Sequence, residues 1–245
     1  QHWPHARSTR VRMRSLGVIA IFFAFVMGGN LAAAENALPR VLILGDQIYQ
    51  QLVSELQKEL KGKVEIHYPR MEPGVVWNSN TALKLLDRQL GDGRWDLIHF
   101  NCGLGDLIYR APGVKAFRVM PRHAGGIRTT SPQQYEKNLY TLVTRLKAAG
   151  AKLVWGSTTP IRHSSTNVFE KGTEIDYNAL AAKVMAKHGI PTNDMYTFVK
   201  GLIDMNKPAG HGADPFFFDR KPIHPPLREI LRKFLGVAPV HLPKP

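Results

Sequence analysis

The residues able to do chemistry fall in three places. In the first, a buried-strand pattern, Val41-Leu42-Ile43-Leu44, turns at Gly45-Asp46-Gln47 into a helical run from Ile48 to Lys61. A strand that stops at Gly-Asp and passes straight into a helix delivers a side chain to the carboxyl edge of a sheet, where open α/β folds bind ligands. The side chain delivered is Gln47. Its amide donates and accepts hydrogen bonds but is a poor candidate for covalent chemistry. In the second place, the strand pattern Trp95 to Asn101 exits into Cys102-Gly103-Leu104-Gly105-Asp106. Two glycines there imply positive φ or a close approach of backbone to something else. The third place is His224, just before the last helical pattern, with Lys221 three residues and Asp219 five residues upstream. A lysine beside the imidazole lowers its proton affinity, and without a carboxylate its tautomer is not held.

Other chemistry is excluded by type and spacing. The single cysteine, Cys102, rules out an intrachain disulfide and a thiolate-rich metal site, and its place next to a strand end fits buried packing. The ten histidines include no pair at helical i, i+4 spacing with an acid between them, and glycine motifs for phosphate are absent. No metal and no cofactor are expected.

The elements that must position the three places alternate regularly. The first helix carries Ile48, Leu52, Leu56 and Leu60 on one face and stops at Gly62; Lys63 to Tyr68 is an alternating second strand. A helix over Thr81 to Leu90 turns Leu83, Leu86 and Leu90 inward. Ser131-Pro132-Gln133-Gln134 opens the clearest helix, with a capping serine, proline at the first position and Gln134 completing a capping box. Ala151 to Gly156 is the fourth strand, Asp176 caps a helix that ends at Gly189, and Ile190 to Asn193 is a short last strand. A short helix runs from Asp194 to Leu202, and Leu227 to Leu235 makes the terminal one after a loop from Asp204 to Pro226. Strands alternating with helices predict a three-layer α/β/α sandwich on a five-stranded parallel sheet with flavodoxin-like strand order.

Residues 108 to 130 read as a long irregular connection with Arg110, Lys115, Arg118, Arg122, His123 and Arg128 and no acid. Connections of that length are uncommon unless functional or disordered. These cations, Arg110 and Arg122 among them, either contact an anionic ligand or are solvated.

The start of the chain has a different character. Arg10, Arg12 and Arg14 precede the apolar run Leu16 to Met27, and Ala32-Ala33-Ala34 offers a peptidase site, which predicts a secretory signal over residues 1–34. Met13 fits the natural start, making the residues before it an upstream extension. A membrane anchor is the competing reading, but the run is shorter than the roughly 20 residues a span needs. Setting those 34 residues aside leaves 211 of the 245, enough for a single domain over residues 35–245 with one sizeable core. The set-aside part holds four arginines and no acid, so the formal charge falls from +14 to +10. Export to the periplasm or medium with a basic surface favours acidic polysaccharide, anionic lipid or envelope partners. No nucleic-acid motif and no aromatic-basic interleaving is present, so nucleic acid is set aside. A monomer with no stable span after signal cleavage is expected.

Strand-Gly-Asp-x near the start, strand-Asn-x-Gly-x-x-Asp mid-chain and His-Pro before the last helix stand in a familiar order. The chain resembles the SGNH (GDSL-like) hydrolase family, particularly exported bacterial members carrying Asp-Leu-Ile-His-Phe-Asn-x-Gly-Leu-x-Asp-Leu, the pattern of residues 96 to 107. The resemblance covers nearly all of the chain beyond the signal. It implies a serine nucleophile after Gly-Asp, a histidine base three residues after an aspartate, and an oxyanion hole of main-chain N–H groups, a glycine and an asparagine. Carried over, the nucleophile position holds Gln47, the asparagine position Gly105 and the aspartate position Lys221, while Gly45, Asp46, Gly103, Asp106 and His224 match. The family's second-block glycine has its best counterpart in Asn78-Ser79-Asn80-Thr81. Asp46 and Asp106 are expected to hold loops by accepting backbone N–H groups.

Losing nucleophile, oxyanion side chain and orienting acid together predicts weak or no ordinary esterase activity. A binding protein for an acylated or anionic glycan, or another envelope ligand, in the inherited cleft is the first reading, with Asp46, Gln47, Asn78, Gly103, Gly105, Asp106, Arg110 and Arg122 as contacts. An active carboxylic-ester hydrolase with rearranged residues is the alternative. There His224 acts on water held by Gln47, or Ser157, Thr158 or Thr159 replaces the nucleophile. A protein-interaction module, signalled by Phe216-Phe217-Phe218, is a third possibility.

Overall fold

The computed structural model describes residues 37–162, 167–206, 224–234 and 236. The signal segment, Phe216-Phe217-Phe218, Asp219 and Lys221 lie outside the described residues. The first half runs β1 (Arg40–Leu44), α1 (Gln47–Glu59), β2 (Glu65–His67), α2 (Ser79–Leu90), β3 (Leu97–Phe100), α3 (Leu104–Leu107) and β4 (Tyr109–Arg110). The second half runs β5 (Ile127–Arg128), α4 (Pro132–Ala148), β6 (Lys152–Gly156), α5 (Thr173–His188), β7 (Thr192–Asn193), α6 (Met195–Lys200) and α7 (His224–Phe234).

β2, β1, β3, β6 and β7 form one sheet in that order, and every pairing is parallel. With the short β4–β5 pair set aside, this is the five-stranded flavodoxin-like order predicted above. A parallel strand covered on both faces is buried at every position and mostly apolar, and Val41 to Leu44 and Leu97 to Phe100 are buried throughout, with His99 the one polar member. Leu42, Leu44, Ile98, Phe100 and Trp155 pack toward α2, α4 and α5. Val41, Ile43, Leu97 and Val154 pack toward α1, α6 and α7, giving the three layers. Truncating a fully buried side chain such as Leu42 to alanine costs about 2–5 kcal/mol by lost transfer energy and cavity.

Several expectations are corrected in detail. The buried face of α1 is Tyr49, Val53, Leu56 and Leu60, with Ile48 only half-buried; the side chain of Leu52 lies outside the described residues. Strict four-residue spacing drifts by about 40° per step on a helix of 3.6 residues per turn, so the 4-3-4 set holds the face better. Helix α5 starts at Thr173 behind Gly172, which sits at φ 84°, and Asp176 lies in the first turn without capping it. An acid in a first turn is favoured by the helix dipole and resembles a cap in sequence. Helix α7 starts at His224 and not at Leu227, since proline is tolerated in a first turn. The connection 108–130 is largely irregular, as expected, but carries a short hairpin. Tyr109–Arg110 and Ile127–Arg128 pair antiparallel, and Arg122–Ala124 forms a 3₁₀ turn between them.

Candidate functional site

The exits of β1 and β3 are neighbours, paired at Leu44 and Phe100 and joined by the Asn101 N–H donating to the Leu44 carbonyl at 2.9 Å. Asp46 caps α1 by accepting the Ile48 N–H at 2.9 Å. Burial pushes its carboxyl up to about 6, with the Ile48 bond opposing. The Tyr68 hydroxyl donates to the carbonyls of Gly45 and Asp46 at 3.1 and 2.8 Å, which fixes the turn. Gln47 is the first residue of α1 and is exposed.

At the β3 exit both glycines are required by close approach. A Cβ on Gly103 would lie 1.8 Å from Thr158 Oγ1, and one on Gly105 would lie 1.9 Å from the main-chain carbonyl oxygen of Trp77. Position 105 thus has no room for an asparagine side chain, and the group packed against it is a hydrogen-bond acceptor. Asp106 is wholly buried. It accepts the Ser79 N–H at 2.9 and 3.0 Å and the Ser79 hydroxyl at 2.5 Å, so it anchors the start of α2. Burial pushes this carboxyl up to about 6, opposed by the bonds from Ser79 and Thr130. Asn138 extends the network, donating to Ser79 Oγ at 2.8 Å and to Asn80 Oδ1 at 2.9 Å. Asn78 caps α2, accepting the N–H groups of Asn80 and Thr81, while Thr81 Oγ1 accepts the Asn78 N–H. The expectation that the two aspartates hold loops through backbone N–H groups is met at both.

Beside Gln47 lies a pocket of about 210 Å³. Asp46, Gln47 and Gly105 contribute to its lining, and the rest is almost wholly apolar: Met71, Val75, Val76 and Trp77 from the β2–α2 connection, Leu104 and Ile108 around α3, and Phe117 and Val119. No cation lines it. Of the other expected contacts, Gly103 and Asp106 are buried and not among the lining residues, and Asn78 and Arg110 line an adjacent groove. Arg122 is not in the pocket: it donates to Glu170 at 3.0 Å, an acid 48 residues away in sequence. The backbone of His224 opens α7, but its side chain lies outside the described residues.

The hydroxyls considered as substitute nucleophiles are buried. Ser157 Oγ donates to Asp194 at 3.2 Å and accepts the Tyr196 N–H at 2.9 Å, and Thr158 Oγ1 donates to the Cys102 carbonyl at 3.3 Å. Thr159 is likewise buried. Cys102 is buried, and burial pushes its thiol well up, as expected of packing. His99 lies within β3 on the α1 side, facing Tyr49 and Asn193; burial pushes it down to about 3 and keeps it neutral. Among the described residues no group of three or more histidine, cysteine or acidic side chains is placed to hold a metal, and no helix is long and apolar enough to cross a membrane. Sequence reading missed the pocket wall. Its one signal was Val75-Val76-Trp77, an apolar trio in a connection that needs no such residues for its own sake.

No family model and no curated protein sequence matches the chain. Solved structures do. A lipase/acylhydrolase from Enterococcus faecalis superimposes with a TM-score of 0.61 at 15% identity, covering 81% of this chain and 96% of that one. An acetylxylan esterase from Geobacillus stearothermophilus gives 0.58 at 13% identity, covering 82% and 95%. A protein described as an SGNH hydrolase from Slackia heliotrinireducens gives 0.54 at 17% identity, covering 80% and 100%. Identities this low carry the architecture and not the activity. With its parallel sheet, its strand exits at Gly45-Asp46 and Gly103 to Asp106, and these neighbours, the chain has the SGNH hydrolase fold.

Proposed function

We propose that the protein binds an acylated glycan or envelope ligand, with the acyl group in the pocket beside Gln47, and that it has weak or no ordinary ester hydrolysis. The observation that carries this reading is the Trp77 carbonyl packed against Gly105. Ester hydrolysis passes through a tetrahedral oxyanion that needs preorganised donors. At position 105 the chain offers an acceptor where that fold's hydrolases, by the resemblance above, use an asparagine donor, and Gln47 supplies no nucleophile. The apolar walls favour the acylated ligand over a bare sugar, because burying methylenes there removes them from water at about 25 cal/mol per Å². The ester-hydrolase alternative gains no support from Ser157 or Thr158, whose hydroxyls are already engaged.

The test is paired. Octyl glucoside titrated into the protein binds and glucose does not, while p-nitrophenyl acetate is hydrolysed no faster than in buffer. Turnover that disappears in His224→Ala would overturn the non-hydrolytic reading, and equal behaviour of the two sugars would overturn the acyl site. Export and a single monomeric domain from residue 35 belong to the same reading. They rest on the arginine-flanked apolar run Leu16 to Met27 and are checked by cell fractionation and by size-exclusion chromatography of the processed protein.

A further inference from the structure

On the far side of Val75-Val76 a second concavity of about 810 Å³ opens between the start of α2, the residues after β4 and the start of α4. Lys84 from α2, Arg110 from β4 and Lys115 from the connection that follows line it, and among the described residues no aspartate or glutamate does. Several other surface cations sit against acids. Arg122 and Arg128 both meet Glu170, Arg88 meets Glu72, Arg145 meets Asp87 and Lys183 meets Glu136. Among the described residues, none of the three groove cations has such a partner. Arg110 is half-buried, so its charge is screened less than that of a side chain in open water. Asn80, Thr129, Ser131 and Gln134 also line it. The Thr129 hydroxyl is already donated to the Ile108 carbonyl, and the Asn80 and Gln134 amides are bonded to Thr130 and Asn138, so it is the three cations that favour an anion.

This groove and the apolar pocket beside Gln47 share Val75, Val76 and Phe117 as a common border. The two concavities are therefore neighbours along that border. We propose that the groove takes the anionic head, a phosphate, sulfate or carboxylate, of the same ligand whose acyl chain fills the pocket. The ligand is then an acylated anion and not a neutral ester. This rests on the reading of the pocket as an acyl site.

Calorimetric titration of n-octyl phosphate, octyl glucoside and inorganic phosphate, at low salt and at high salt, separates the possibilities. Three cations of modest individual worth predict that octyl phosphate binds about tenfold tighter than octyl glucoside. That margin shrinks at high salt and in an Arg110→Ala, Lys115→Ala variant, whose unchanged affinity for octyl glucoside reports an intact fold. A Lys84→Ala, Lys115→Ala variant, altering only exposed side chains, gives the same reading if the first does not fold. Equal binding of the two octyl compounds overturns the anionic head and leaves the acyl pocket standing. Binding of neither overturns both. A margin that persists in the variants overturns the groove as its location, and inorganic phosphate binding as tightly as octyl phosphate overturns the shared ligand.

Discussion

Asp46 and Asp106 close corresponding strand exits, after β1 and after β3, and burial pushes both carboxyls up to about 6. Their surroundings are otherwise unlike. Asp106 is sealed, with two kinds of donor from Ser79 and a network reaching Asn138 behind it. Among the described residues Asp46 has the single Ile48 N–H; it keeps part of its surface open and lines the pocket. A raised carboxyl is therefore no mark of a catalytic acid by itself. In one aspartate it accompanies a structural anchor, and only the other can meet a ligand.

The sharpest test of that difference is Asp106→Ala. Removing the acceptor strands the buried Ser79 N–H and hydroxyl, and the expected loss is about 3 kcal/mol or more in urea denaturation. Gly105→Asn comes next at about 2 kcal/mol, because its Cβ must displace the Trp77 carbonyl. Adding it to Gln47→Ser gives no p-nitrophenyl acetate turnover beyond that of Gln47→Ser alone. Asp46→Ala removes one helix cap and costs about 1 kcal/mol. If it costs as much as Asp106→Ala, the contrast between the two sites is broken.

A pH series sharpens the contrast further. Both folded carboxyls hold their protons more tightly than the ordinary value of 3.8, so the folded chain binds more protons between the two values. Their stabilising contribution is complete below about 4 and is lost as pH rises through about 6. Chemical denaturation is expected to show a wild-type loss of about 1 kcal/mol per carboxyl between pH 5 and 7, and Asp106→Asn flattens half of it. The smallest effect is that of Gln47→Ala, an exposed site, whose stability stays within about 0.5 kcal/mol of wild type.

The sheet is legible because β1 is written as an unbroken apolar run and β3 nearly so, and the order of turns and helices then leaves few topologies. The two strand exits were legible for the same reason. Position 105 was recognised as a departure, but its cause was not visible, because the carbonyl that fills the space belongs to Trp77 in a different connection. Arg122 reads in sequence as a ligand contact because no acid lies near it; Glu170 reaches it only after folding. Arg110 could not be distinguished from Arg122 by sequence, and what separates them is which one lacks that acid. The pocket wall from Met71 to Trp77 and at Phe117 and Val119 comes from connections, where no periodicity marks an inward face.

Phe117 and Val119 stand on the stretch between β4 and β5, and one side chain ties that pair to the residues before α5. Glu170 accepts the Tyr109 hydroxyl at 3.0 Å and the guanidinium groups of Arg122 and Arg128, while the Tyr109 N–H donates to the Val168 carbonyl at 2.8 Å. Partners that share one carboxylate do not contribute independently, so a double-mutant cycle on Arg122 and Arg128 will show coupling. In native-state hydrogen exchange the hairpin amides will then open together with one common free energy, and the pocket will lose its wall in a single cooperative event and not by gradual fraying.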